Sequence, residues 1–364
     1  MKVCIVDTYY AGFLAHRHEQ QGGSYAERLA RLLAADFGTA DYYSRHLRAH
    51  GIEAQELVAN CVPLQLAWAR EHQFPAPQML ELLPMDSLFV RALWRPVLLS
   101  ILQAQIREAR PDILYLQDLS LFPPHHLRVL RKVVKAVVGQ IACPLPPPEY
   151  LEPYDLVLSS FPHYVERLPR KGVRAQYFRL GFEKPILDRV TTANPRIYEC
   201  TFVGGISAAH QKGTEFLERI AEQMPLDLFG YGQESLRRGS PLESRHHGEV
   251  WGREMYGVLA ASQITLNRHV DVAENYANNM RLYEATGMGA LLITDAKDNL
   301  RELFSDKEVV TYRSPDEAIE MVGYYLSHPD ERQAIAAAGQ ARTLREHTYE
   351  QRMAELAHIL RHKL

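Results

Sequence analysis

Short apolar runs alternate with longer stretches whose apolar residues recur at helical spacing, from one end of the chain to the other. That alternation predicts strand–helix units built around parallel sheets. In the first half, strands are predicted over 2–8, 52–58, 113–117, 136–141, 156–160 and 175–178. A second series opens at Tyr198–Gly205 and continues over 226–230, 264–267, 290–294 and 309–312. Ser24 followed three residues on by Glu27 forms a capping box, so a helix is expected to start near Tyr25. It should run to about His50, with a break near Phe37-Gly38-Thr39. Residues 60–95 carry Pro63, Pro75, Pro77 and Pro84 among apolar helical pieces, which predicts an irregular helical insertion. A helix is expected from Pro96 to Ala109, a basic one over 125–135, and helices throughout the last 50 residues. The stretch 181–196 lacks periodicity and contains two prolines, which marks it as a linker between the two series.

Size supports the division: a chain of 364 residues exceeds what one hydrophobic core ordinarily serves. A hydrophobic share of 46% suits a globular protein, and a formal net charge of −3 gives no general pull toward nucleic acid. No apolar run reaches the roughly 18 residues of a membrane-spanning helix. Met1–Asp7 reads as a first strand rather than a signal peptide, so a cytoplasmic location is expected. The four cysteines, at 4, 61, 143 and 200, are widely separated and read as reduced thiols, two of them in strand-like segments. No clustered ligand set is visible and no metal requirement is expected. The absence of Gly-X-Gly-X-X-Gly after the first strand argues against a dinucleotide oxidoreductase.

The densest chemistry lies in Asn278–Asp295, a short helix, a small-residue turn and a buried strand. Arg281 and Glu284 stand three apart on that helix and face the same way, able to reach one ligand together. Asn278 and Asn279 suit the helix N-terminus, where side chains cap and free N–H groups favour an anion. The plainer reading of Arg281 and Glu284 is an ion pair on the helix surface, and of the two asparagines a simple cap. Gly204-Gly205 after the strand ending near Val203 permits close backbone approach to a diphosphate, or is only a tight turn. Lys212 offers a mobile positive charge to phosphate, Arg268 follows a strand where such sheets meet their ligands, and Tyr231 is an aromatic candidate for a base. In the first half, Asp7, His16, Asp118 and His163 fall on loops after strands, with Asp118 and His16 the leading candidates for a proton acceptor. The basic, apolar stretch Leu127–Lys135 suits either a helix packed on a sheet or contact with an anionic membrane surface.

Several of these segments together resemble the donor domain of GT-B glycosyltransferases, and within that fold the group with a CgeB-like, group 1-like C-terminal domain. The matching residues are Phe202-Val203-Gly204-Gly205, Lys212-Gly213, Leu226–Gly230, Asn279–Asp295, Leu300–Phe304, Ala338-Gly339 and His347–Arg352. The resemblance implies an α/β, GT-B molecule with two Rossmann-like domains facing each other across a cleft. It divides the chain into an acceptor-binding domain (1–183), a nucleotide-sugar-binding domain (184–345) and a final helix (346–364) that packs back on the first domain. It implies a donor that is a nucleoside-diphosphate sugar, in the first place a UDP-sugar, with Glu284 accepting from the ribose hydroxyls and Arg281 on the diphosphate. The acceptor, whether saccharide, lipid-linked, small molecule or protein, is left open. Many retaining members carry a second Glu eight positions before the first, but here that position is Tyr276, with Glu274 two residues away. Two rivals therefore stand beside a glycosyltransferase: a nucleotide-sugar epimerase on the same fold, and a nucleotide-binding scaffold without chemistry.

Overall fold

The computed structural model describes residues 1–16, 22–76, 88–191, 196–206, 211–277 and 279–364. The chain forms two compact units, Met1–Phe178 with Met353–Leu364, and Arg179–Arg352. The first is built on β1 (Lys2–Asp7), β2 (Glu53–Val58), β3 (Ile113–Leu116), β4 (Ala136–Ile141), β5 (Leu156–Ser159) and β6 (Ala175–Tyr177). The second is built on β7 (Tyr198–Val203), β8 (Leu226–Phe229), β9 (Ser262–Asn267), β10 (Leu291–Asp295) and β11 (Val310–Tyr312). All pairings are parallel, and β3 and β5 inside the first sheet are buried along their whole length, as a sheet covered on both faces requires.

Strand order is β2-β1-β3-β4-β5-β6 in the first sheet and β11-β10-β9-β7-β8 in the second. Each unit's first strand thus lies between its second and third, and chain direction across the sheet reverses there. Ligands of open α/β sheets bind outside the carboxyl ends of the strands at such a reversal. In the first unit this is the end of β1 and β3, in the second the end of β7 and β9. The second core packs Ile264, Leu266, Leu291 and Ile293 of the central strands against Phe216, Leu217 and Ile220 of the helix Gln211–Ala221 and Ile319 and Val322 of the helix Pro315–Ser327.

Two expected irregularities differ. The region from 60 holds a regular helix, Val62–Glu71, because Pro63 sits in its first turn, where a missing N–H costs nothing. The next helix runs Leu88–Ala109 with Pro96 inside it rather than at its start; residues 77–87 lie outside the described residues. The Ser24 capping box forms as expected, and the break before the second helical piece, Tyr42–Ala49, is present. The segment after Phe178 is tied into the second unit. Phe182 N–H donates to the His347 carbonyl at 2.8 Å and Tyr349 N–H to the Phe182 carbonyl at 3.0 Å. The helix Tyr349–His362 ends among the residues of the first unit.

The basic helix is Pro124–Leu130, and its neighbourhood is locally neutralised: Arg128 pairs with Glu152 (3.2 Å), Arg131 with Asp155 (2.7 Å) and Lys135 with Asp112 (2.8 Å). Among the described residues no helix is long and apolar enough to cross a membrane.

Candidate functional site

Beyond β7 the backbone runs straight into Gly204 and Gly205. Gly204 N–H donates to the Phe229 carbonyl (2.9 Å) and Ile206 N–H to the Tyr231 carbonyl (2.8 Å), so the loops after β7 and β8 lie directly against each other. A Cβ on Gly205 would sit 2.1 Å from the Tyr231 ring, and one on Gly230 only 2.0 Å from the Gly204 carbonyl oxygen. Both loop glycines therefore have a packing reason independent of any ligand. Tyr231, partly exposed, stacks at 6.2 Å and 10° on Trp251, whose indole N–H donates to Glu249.

Past β9 stands the helix Met280–Gly287, capped by Asn279. The Asn279 carbonyl oxygen accepts from Leu282 N–H (3.3 Å) and its amide donates to Asn267 at the end of β9 (2.9 Å), which in turn donates to Thr294 on β10 (2.9 Å). The cap is thus stitched to two strand ends. Asn278 lies outside the described residues.

Arg281 and Glu284 meet as the spacing requires, Nη1 to Oε2 at 2.8 Å, but the pair is largely buried rather than on the helix surface. Both Arg281 Nη atoms lie 3.2 Å from Met255 Sδ, and its Nε is buried with no hydrogen-bond partner among the described residues. The Tyr256 hydroxyl reaches the other Glu284 oxygen at 3.5 Å. Burial pushes the Glu284 carboxyl up from its ordinary 4.5, while the Arg281 charge and the Tyr256 hydroxyl pull the other way. A desolvated carboxylate facing a guanidinium is a strong acceptor for ligand hydroxyls and a costly group to leave unmatched.

Arg268 pairs with Asp271 at 2.9 Å and is partly exposed at the end of β9. Next to it, the fully buried His269 ring places Nδ1 2.7 Å from Asp295, whose second oxygen lies 3.2 Å from Lys297 Nζ. Burial pushes the Asp295 carboxyl up, but the His269 hydrogen bond and the His269 and Lys297 charges outweigh it and hold it down at about 2. Lys297 also donates to the Glu274 carbonyl at 2.6 Å. Lys212 is exposed on its helix. Among the described residues no group of three or more His, Cys, Asp or Glu is placed to hold a metal ion.

At the reversal of the first sheet, Asp7 ends β1 and accepts from Thr8 N–H at 2.7 Å; burial pushes its carboxyl up to about 7, the nearby Asp118 adding to the effect. Asp118 follows β3 and accepts from the N–H and hydroxyl of Ser120 (2.8 and 2.7 Å). His16 closes the short helix Ala11–His16 with Nδ1 2.8 Å from the Gly12 carbonyl, so that nitrogen donates. His163 is buried against Phe161 and Tyr164. Geometry thus gathers Gly204, Gly205, Arg268, Asn279, Arg281 and Glu284 at the strand ends or in the helix beside them in the second unit. Asp118 belongs to the first. The residues that sequence reasoning missed are Met255, Tyr256, Asp295 and Lys297. Asp295 closes an apolar strand and had that positional signal; the other three carried none.

Residues 210–358 match the family model described as glycosyl transferase-like. No curated protein matches the chain by sequence. Among solved structures, sucrose-phosphate synthase of Thermosynechococcus elongatus superposes with a TM-score of 0.62 at 12% identity, covering 99% of this chain and 98% of that one. HepE of Anabaena, solved in complex with UDP-glucose, gives 0.60 at 13% identity, with 99% of each chain covered. A glycosyltransferase of Rickettsia africae ESF-5 gives 0.59 at 11% identity over 98% and 97%. The two α/β units are therefore those of a GT-B fold. The second of them carries a glycosyl transferase-like domain.

Proposed function

We propose that this chain is a glycosyltransferase that draws its sugar from a nucleoside-diphosphate sugar, in the first place a UDP-sugar, and holds it on the second unit. The observation that carries the reading is the buried Arg281–Glu284 pair beside the reversal of the second sheet, within the glycosyl transferase-like stretch. Glu284 accepts from the ribose hydroxyls. Arg281, whose Nε has no partner among the described residues, turns toward the diphosphate, and Asn279, Arg268, Lys212 and the backbone of Gly204-Gly205 complete the anion's surroundings. Positive groups at that place stabilise the departing nucleoside diphosphate, a charge-stabilising role that needs no metal. The UDP-glucose held by the Anabaena structure supports a uridine donor.

The acceptor hydroxyl is assigned to the first unit, with Asp118, His16 and Asp7 as the groups to test for taking its proton. Asp7 is best matched to neutral pH, since its carboxyl titrates near 7. A cytoplasmic site of action suits a donor made from nucleotide pools.

The decisive experiment is thermal unfolding of the wild type with UDP, UDP-glucose, UDP-galactose and UDP-N-acetylglucosamine. A ligand at a hundred times its Kd stabilises by about 2.7 kcal/mol. The shift is expected for the wild type and is expected to vanish in Glu284→Gln. No shift with any of the four, or an undiminished shift in Glu284→Gln, would remove the donor site from this place.

A further inference from the structure

The segment Arg268–Ala277 joins β9 to the helix Met280–Gly287, and its middle is strained. Glu274 has φ 50° and ψ −123°, backbone that a side chain rarely adopts. Such a conformation persists only where the surroundings over-determine it, and it concentrates at ligand clamps and active sites. Here the surroundings are the last residue of β10 and the short segment after it. Asp295 receives His269 through both its ring (2.7 Å) and its backbone N–H (3.0 Å). Asn299 exchanges hydrogen bonds with Ala277 (2.6 and 3.0 Å), and Asp298 N–H donates to the Asn275 carbonyl at 2.9 Å. Lys297, with a side chain only 14% exposed, joins the strained carbonyl of Glu274 to the Asp295 carboxylate. Glycine would take this backbone without strain. A glutamate held there presents a carboxylate from one fixed place, and the residue is exposed.

On the donor reading above, the loop's place relative to Arg281 and Glu284 separates the two ends of a donor. Arg281 and Glu284 face Met255 and Tyr256 on the helix Arg253–Ala260, which follows Trp251, so the nucleoside end is directed there. The loop and Lys297 lie over the ends of β9 and β10, on the opposite side of β7 from β8. We propose that Lys297 is a positioning residue for the donor's sugar: it fixes the Glu274 loop against the hexose and leaves nucleotide binding to Arg281 and Glu284. The inference rests on the donor reading above.

The test compares Kd values for UDP and for the tightest-binding of UDP-glucose, UDP-galactose and UDP-N-acetylglucosamine, by isothermal titration calorimetry. In Lys297→Met the ratio of the UDP-sugar Kd to the UDP Kd rises by about tenfold, while the UDP Kd itself stays near the wild-type value. Lys297→Arg, which keeps a donor on both oxygens, returns the ratio toward wild type. Glu274→Gly relieves the strain, so it raises the Tm yet moves the ratio in the same direction as Lys297→Met. It also serves if Lys297→Met does not fold. An unchanged ratio in both variants, or equal losses for UDP and UDP-sugar, overturns the role of Lys297 while leaving the donor site intact. A wild type that binds neither UDP nor a UDP-sugar removes the donor reading itself, and this inference with it.

Discussion

At the scale of single residues the Arg281–Glu284 pair sets the terms. A guanidinium does not lose its proton inside a protein, whereas a carboxyl raised by burial accepts one readily. The two halves of the pair are therefore unequal when removed. Glu284→Gln leaves an unmatched cation in a largely buried place and is expected to cost about 3 kcal/mol. Arg281→Met leaves a carboxyl that burial already pushes toward its neutral form, so its cost is smaller at low pH and grows as pH rises. The sign follows from linkage: with Glu284 raised above its ordinary 4.5, the folded state binds more protons than the unfolded one, and stability falls with increasing pH. Urea unfolding of both variants between pH 5 and pH 8, a range spanning roughly one to four units above the unfolded carboxyl, should show this slope steepened in Arg281→Met. Equal, flat losses in the two variants would refute it. The pairing was legible from spacing on the helix, but its burial was not. Burial comes from Met255 and Tyr256, contributed by a helix about 25 residues earlier, and nothing local announces them. Lys297 escaped notice for a like reason: Asp295 stands two residues before it, but the Glu274 carbonyl that completes its contacts comes from tertiary structure.

At the scale of elements, the loops after β7 and β8 behave as one unit. Gly205→Ala drives a methyl into the Tyr231 ring, an overpacking expected to cost about 1–3 kcal/mol. Tyr231→Ala opens that space, so the double variant should be less destabilised than the sum of the singles; strict additivity in chemical denaturation would show that the ring simply swings away. Asn279→Ala removes a helix cap and the link to Asn267, with an expected loss of about 1 kcal/mol and a weaker nucleotide-induced thermal shift. Strands were the most legible elements. Ile113–Leu116 reads as an unbroken apolar run, and a parallel strand covered on both faces has that pattern. Prolines misled where they stood at helical positions that tolerate them. Pro63 begins a helix instead of disrupting one, and Pro96 lies inside a helix whose first turns the sequence pattern placed in the irregular insertion. The glycines after β7 were legible as a close approach, but the first body to approach them is the neighbouring loop.

At the scale of the whole molecule, the two units carry buried titrating groups of opposite sign. In the first, burial pushes Asp7 from 3.8 up to about 7 and Glu56, whose carboxyl accepts from Ser44 N–H, from 4.5 up to about 8. Their folded forms hold protons that the unfolded chain has released, so the stability they lend is complete in acid and is lost as pH rises through 7 to 8. In the second, burial pushes His347 from 6.5 down to about 4, its Nε2–H donating to the Leu303 carbonyl. There the unfolded chain binds the proton first, so stability is complete above 6.5 and is lost as pH falls through 4. Glu284 opposes this trend within the second unit, which is why variants are needed to isolate each group. Hydrogen exchange, corrected for intrinsic rates, should show protection of β1–β4 declining from pH 5 to pH 8 and protection of β7–β10 rising. Glu56→Gln is expected to reduce the first dependence by about 4 kcal/mol across the range, Asp7 keeping the remainder, and His347→Gln, which keeps a donor for Leu303, to flatten the second by about 2 kcal/mol. If both variants leave both profiles unchanged, the buried groups are not what titrates, and the pH response lies in the surface charges.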